Sequence, residues 1–271
     1  MHKYVHGYSD REAERLHDQA DAVRELIHHD TSYPAGSRVL EAGCGVGAQT
    51  VTLASKSPQA TFVSVDMAED SLRSARKLAA ENGLGNVVFE RADLYHLPYG
   101  TASFDHAFLC FVLEHLIDPL QVLAEIHRVV RPGGTLTVIE GDHGSCYFHP
   151  ETPEALSVWR CLIDVQAHIG GNSLIGRQLY PLLHAGGFDA AHVSPRMLYM
   201  DASHPRLMDA FVRRTIVPMV AGVKQQALEW EMISEGAWQK GIADLLSIAE
   251  DPCGAFCYTF FKAVAAKQLT Q

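Results

Sequence analysis

The chain has 271 residues, 47% of them hydrophobic and 20% charged, which is enough to bury a core without disulfide or metal staples and too apolar for general disorder. Its net charge is −10, and acidic residues outnumber basic ones both in 1–140 and in 141–250, so a surface that wraps duplex nucleic acid is disfavoured. The longest near-apolar run, Ala107–Leu113, falls far short of the about 20 residues that cross a bilayer. Met1–His6 lacks the apolar stretch of a signal peptide, and the six cysteines include no Cys-x-x-Cys, so the expected setting is a reducing cytoplasm.

In chain order, an amphipathic helix is expected from Asp10 to about His29, with Leu16, Ala20, Val23 and Ile27 on one face. From Ser37 to Glu140, β-branched runs alternate with helical patterns, as a parallel sheet covered on both faces requires. The strands are Arg38–Glu41, Thr61–Asp66, Val87–Arg91, Phe104–Cys110 and Thr135–Glu140. One helix runs from about Glu69 to Glu81 with Leu72, Ala75, Leu78 and Ala79 inward. Another opens at Asp118-Pro119, stripes Leu120, Leu123, Ile126 and Val130, and stops at Pro132-Gly133-Gly134. Beyond Glu140 the expected elements are a helix at about Arg177–Ala185, a strand Ala191–Met200, helix throughout 204–250, and a final strand Ala255–Val264. Phe256–Phe261 is apolar enough to lie inside the main sheet, which makes 204–250 an insertion before the last strand. The expectation is a doubly wound, mostly parallel α/β sheet of seven strands in a single domain: a helix in 1–35, a sheet core in 36–200 and 251–271, and a helical cap in 201–250.

The most informative stretch is Val39-Leu-Glu-Ala-Gly-Cys-Gly-Val-Gly-Ala48, a strand running into a glycine turn that opens a helix. Glycines there let backbone approach a ligand, and the helix start offers free N–H groups. Gly43, Gly45 and Ala48 also satisfy the dinucleotide pattern, so a nicotinamide or flavin enzyme stays open at this point. Glu41, two residues before the first glycine, favours a cationic ligand over pyrophosphate. Asp66 ends the next strand, 21 residues after Gly45, where it can accept from ribose hydroxyls of either ligand class. Asp93-Leu-Tyr-His-Leu-Pro98 places a second acid where an adenine amino group can donate to it.

With Phe104-Asp105, Val112-Leu-Glu-His-Leu116 and Arg131-Pro-Gly-Gly134 added in order, the stretch from about Ser37 to Asp142 resembles the class I S-adenosylmethionine-dependent methyltransferases, and within them the small-molecule branch around the ubiquinone and menaquinone enzymes and those of secondary metabolism. The resemblance implies a Rossmann-like methyltransferase fold with S-adenosyl-L-methionine as cofactor. It implies Gly43, Cys44, Gly45 and Gly47 against the methionyl part, Asp66 on the ribose, Met67 against the adenine, and Asp93 with Leu94 at the adenine edge. Cys110 and Phe111 complete the floor. It also implies that the first helix folds over the cofactor as a lid, with Tyr4, Tyr8, Arg15 and Gln19 facing it, against ordinary helix packing as the competing account.

His115 follows the fourth strand at the carboxyl edge of the sheet, as a cofactor or proton-transfer contact or as a solvent-facing cap. His143, in a loop 142–150 that also carries Tyr147, is the other candidate base, against an ordinary loop histidine. Arg177 is a substrate-side candidate or a structural ion-pair member, and Trp159, Trp230 and Trp238 are better placed in core packing than in a pocket wall. No histidine pair has metal-ligand company, so no metal is expected. The reading is methyl transfer to a small organic molecule by in-line displacement. A silent cofactor-binding module is the alternative; a nicotinamide oxidoreductase is disfavoured because no Tyr-x-x-x-Lys pair is found. The acceptor pocket is expected from the 1–30 helix, the 142–150 loop and the 204–250 insertion. Acceptor identity, attacked atom and oligomeric state are not readable.

Overall fold

Four runs of β-branched and aromatic residues start the sheet of the computed structural model, which describes Ala20 and residues 23–269. A helical stretch, α1 (residues 23–28), leads to β1 (Arg38–Ala42), α2 (Ala48–Lys56), β2 (Thr61–Asp66), α3 (Glu69–Glu81), β3 (Val87–Arg91) and β4 (Phe104–Cys110). A 3₁₀ turn, Leu113–His115, precedes α4 (Pro119–Val129) and β5 (Val130–His149). Pairing is parallel from β3 through β2, β1 and β4 to β5, with Val39 opposite both Phe62 and His106. Both faces of such a sheet are covered, and Leu40, Val65, Ala107, Leu109 and Val138 are accordingly buried. The expected strand bounds hold for β2, β3 and β4, and β1 gains Ala42.

The chain continues through α5 (Pro153–His168), a 3₁₀ turn at Ile175–Gln178, α6 (Leu179–Ala185) and β6 (Asp189–Asp201). Then come α7 (Pro205–Met208), a π-helical segment Asp209–Ile216, α8 (Val217–Ala221), α9 (Lys224–Glu229), α10 (Glu235–Ile248) and β7 (Ala255–Ala266). Sheet order is β3-β2-β1-β4-β5-β7-β6, so the last strand sits inside the sheet, as its apolar sequence predicts. The 204–250 stretch is helical in pieces rather than throughout, broken at Gly222 and across residues 230–234.

Three further differences have physical causes. In α4 the buried side chains are Val122, Leu123, Ile126 and Val129, whereas Leu120 is 41% exposed and Val130 already belongs to β5. Val122 and Val129 widen the apolar face and turn Leu120 outward. Second, β5 begins before the Pro-Gly-Gly breaker and runs 20 residues. The breaker stays paired because Gly133 N–H donates to Lys267 O at 2.8 Å and Lys267 N–H to Gly134 O at 2.9 Å. Residues 142–149, including His143 and Tyr147, are therefore strand rather than loop. Third, α5 was not foreseen, although Thr152 is its N-cap, accepting from Ala155 N–H, with Pro153 in the first turn.

The described residues form two compact units. One comprises residues 24–141, 175–196 and 260–269 and holds β1–β4 with their helices. In it, the chain after α1 is anchored by charge. Lys262, 3% exposed on β7, donates to Asp30 (2.6 Å) and Thr31 (2.5 Å). Arg196 pairs with the other Asp30 oxygen, and Lys56 donates to the carbonyls of His28 and His29. Burial holds the Lys262 ammonium below its usual pKa, and those bonds offset the cost.

The other unit holds α5, α7–α10 and residues 142–149 and 255–259. Gly241 of α10 lets that helix lie on α5, where an added Cβ would stand 2.4 Å from Glu154 O. Thr152 donates to Asp244 at 2.6 Å between the same two helices. Trp159, Phe211, Phe256 and Tyr258 form its aromatic core. Trp159 and Trp238 are buried as core residues, whereas Trp230 is 41% exposed and lies against His168.

Candidate functional site

At the end of β1 the chain turns through Gly43, Gly45 and Gly47, all with positive φ, before α2 begins. Two of these glycines serve the protein's own packing. A Cβ at Gly43 would meet a Val112 methyl at 2.6 Å, and one at Gly47 would meet Ala75 of α3 at 3.0 Å. Gly45 differs: no atom of the described residues lies within 4 Å of where its Cβ would stand. Its N–H donates to Asp66 Oδ2 at 2.9 Å, and Asp66 Oδ1 accepts from Ala68 N–H at 2.9 Å. The carboxyl at the end of β2 thus pins the turn with both oxygens and keeps further lone pairs for a ligand hydroxyl. Burial raises its pKa, against the lowering effect of those backbone donors.

Glu41 is more enclosed than an acid open to a ligand. It is 2% exposed, and its Oε2 accepts from Thr50 of α2 (2.7 Å) and Ser64 of β2 (2.6 Å). Burial pushes its pKa up to about 7, so it passes between neutral and charged near neutrality. Cys44 is buried beside it, and its thiol is pushed well above the usual value by burial and by Glu41 and Asp66. Met67, next to Asp66, is half exposed.

Past β3, Asp93 accepts from Tyr95 N–H at 3.0 Å and is partly buried, while Leu94 packs on the apolar core. At the end of β4, burial and the acids Glu140, Glu41 and Glu114 hold the Cys110 thiol protonated, which removes it as a nucleophile. Phe111 is left-handed (φ +57), sets its ring 5.6 Å from Phe260, and donates its N–H to Ile139 O. A left-handed phenylalanine is strained and persists only where its neighbours fix it. His115 lies on the turn beyond, 3.6 Å from Glu114 Oε1.

This unit therefore gathers Glu41, Gly43, Cys44, Gly45, Gly47, Asp66, Met67, Asp93, Leu94, Cys110, Phe111 and His115 at the carboxyl ends of β1–β4, where ligands of open α/β sheets bind. Arg177 belongs to the same unit, exposed on the turn before α6. The sequence reading missed Glu140, which is completely buried and accepts two backbone N–H groups of the β4 turn. The available signal was a carboxylate closing the largely β-branched run Thr135–Ile139.

His143 and Tyr147 belong to the other unit. His143 is 5% exposed, with Nδ1 2.6 Å from the Tyr258 hydroxyl and its ring 5.5 Å from Trp159. Its carbonyl accepts from Trp159 Nε1 at 2.8 Å. It is thus an enclosed strand histidine, not the loop residue expected. Tyr147 on the same strand is 65% exposed. Tyr4, Tyr8, Arg15 and Gln19 lie outside the described residues.

Residues 34–187, more than half of the chain, match the methyltransferase-domain family. The chain belongs to that family. An uncharacterised protein of a Streptomyces fradiae transposon is 36% identical over 180 residues, covering 66% of this chain and 51% of that protein. The 27-O-demethylrifamycin SV methyltransferase of Amycolatopsis mediterranei is 31% identical over 134 residues, 49% of each chain. The chain thus spans about half the length of these relatives. Among solved structures, the [4+2]-cyclase SpnF superposes with a TM-score of 0.56 at 22% identity, covering 94% of this chain and 82% of that one, which shows the shared fold alone.

Proposed function

We propose that this methyltransferase-family chain moves a methyl group from S-adenosyl-L-methionine to a small organic molecule by in-line displacement. Gly45 carries the reading: in a turn where a Cβ at either other glycine would meet Val112 or Ala75, it faces space that no described residue occupies within 4 Å of its Cβ position, with its N–H fixed by Asp66. That is room for a ligand pressed against backbone. Asp66 and Asp93 suit ribose and adenine donors, and Met67, Leu94, Cys110 and Phe111 supply apolar surface beside them. Glu41, ionised in part near neutral pH, tolerates a cationic ligand and opposes a pyrophosphate, which favours the sulfonium donor over a dinucleotide.

When bound, that donor supplies an electrophilic methyl group. The residues of the chain hold donor and acceptor collinear and keep water out, and such positioning supplies ~7–11 kcal/mol. Little else is asked of side chains. Where the acceptor must lose a proton, His115 beside Glu114 is the candidate base within the unit that holds the donor residues, and His143, enclosed against Tyr258, is the second candidate. On the acceptor side we assign Arg177, which belongs to the same unit as the glycine turn. Tyr8, Arg15 and Gln19 go to the donor. The 27-O-demethylrifamycin relative favours a drug-sized acceptor, and an acidic chain without a basic track disfavours nucleic acid. None of the six cysteines is paired, which suits the cytoplasm, and no described helix is long and apolar enough to cross a membrane.

Calorimetric titration with S-adenosylmethionine and, separately, NAD is the test. Saturable binding of the first alone is expected, and binding of NAD alone overturns the reading. A labelled-methyl screen of metabolite extracts then identifies the acceptor. With that acceptor, His143→Ala is expected to leave donor affinity nearly unchanged and to slow turnover about a hundredfold or more; unaltered turnover dismisses His143 as base.

A further inference from the structure

Glu140 has no part in the chemistry above, yet its setting is costly. It is 0% exposed, its Oε1 accepts the N–H groups of Val112 (3.0 Å) and Leu113 (2.7 Å), and its Oε2 has no hydrogen-bond partner among the described residues. Burial and the neighbouring Glu114 push its pKa well above the usual carboxylate value, in the direction that favours the neutral acid. Two backbone donors need only one carbonyl-type acceptor. The sealed second oxygen adds nothing to the bond and costs desolvation.

The position of the turn gives the side chain a task. Glu140 lies on β5 and the two N–H groups belong to the turn that follows β4, so one carboxyl links neighbouring strands across 28 residues of sequence. The turn in turn touches the glycine loop, because it is Val112 that stands where a Gly43 side chain would be. Gly43 and Cys44 both donate to Val65 O, which holds the loop to β2 on its other side. Just before Val112, Phe111 is held in its left-handed conformation with its ring against Phe260. A loop gripped this way has its height above the sheet set from β5.

We propose that Glu140 is a positioning residue of the donor site: by clasping the backbone of Val112 and Leu113 it seats Val112 against Gly43 and fixes the floor under the Gly43–Gly47 turn. The proposal rests on the donor reading above. A neutral carboxyl and a carboxamide offer the same acceptor in the same shape, whereas leucine fills the volume and accepts nothing. The clasp therefore separates Glu140→Gln from Glu140→Leu.

The test measures S-adenosylmethionine affinity calorimetrically on the full chain, well below each variant's melting temperature, together with KM and kcat once an acceptor is known. Glu140→Gln is expected to bind within about threefold of the wild type, and Glu140→Leu about tenfold or more weakly, with the loss in donor KM rather than kcat. Val112→Ala keeps both backbone bonds but removes the methyls that reach Gly43; it is expected to weaken donor binding at nearly unchanged kcat, and it decides the matter should Glu140→Leu not fold. Wild-type affinity in Glu140→Leu or in Val112→Ala overturns the proposal alone, as does a Glu140→Gln protein as impaired as the leucine variant. A wild-type chain that does not bind the donor overturns the donor reading, and the proposal with it.

Discussion

The glycine turn after β1 and the strand segment around His143 both bury polar groups, but they satisfy them over different reaches of chain. In the turn, Glu41 is served by Thr50 and Ser64, 9 and 23 residues away, and Gly45 by Asp66, 21 away. His143 finds Trp159 16 residues on and Tyr258 115 residues on. The first is one βαβ unit and carries its own spacing code. The second exists only once a distant strand has arrived. A pattern closed within one βαβ unit is therefore legible in sequence, while a cluster completed by a distant strand leaves almost no local trace.

Variants can break or sharpen that contrast. The largest effect is expected at Gly47, where alanine must adopt φ +81 and meet Ala75 at 3.0 Å. A loss of about 2–4 kcal/mol in urea unfolding is expected, with donor affinity falling only as the fold does. Next, Tyr258→Phe removes the hydroxyl bonded to His143 Nδ1. A destabilisation of about 1–3 kcal/mol with unchanged donor binding is expected, and a donor-binding defect would show that the two regions are not independent.

Gly45→Ala reverses the pattern. Its Cβ meets no atom of the described residues, so only the left-handed backbone conformation costs stability, about 1 kcal/mol. Donor affinity is expected to fall tenfold or more on the order-of-magnitude scale of one lost close contact; equal losses at Gly45 and Gly47 would mean that the open face of Gly45 is not a ligand surface. A further variant tests a pH dependence. The folded-state pKa of Glu41 is raised from 4.5 to about 7, so the folded protein holds that proton more tightly. The resulting stability is complete below 4.5 and is lost as pH rises through 7. Glu41→Gln is expected to flatten that decline in unfolding midpoints measured across the interval.

What was legible follows from range. The bounds of β2 and β4, and the place of β7 inside the sheet, were readable because strands covered on both faces are rich in apolar residues. Asp118-Pro119 marked the start of α4 because capping is a local contest, with Asp118 accepting from Gln121 N–H at 3.1 Å. The buried face of that helix was misphased, since whether Leu120 or Val122 turns inward is decided by what lies opposite. The Pro-Gly-Gly breaker was read as an ending because its pairing with Lys267 cannot be seen from residues 132–134. In the candidate site, Asp66 and the glycines were visible by spacing. Glu140 was not, because its donors belong to a turn 28 residues earlier, and the enclosure of His143 depends on Tyr258.

The place of β7 between β5 and β6 bears on how the protein is made. During synthesis β1 to β5 can assemble as soon as they emerge, but the far side of β5 waits for residues 255–266, and β6 has no neighbour until then. For that interval two bare strand edges sit on the nascent chain, the condition in which edge-to-edge aggregation competes with folding. Lys262 rides on the same late strand, so the ammonium that ties Asp30 and Thr31 arrives only with the closing piece. A ribosome that pauses or terminates near residue 254 would release a half-zipped sheet, and chaperone demand should concentrate there.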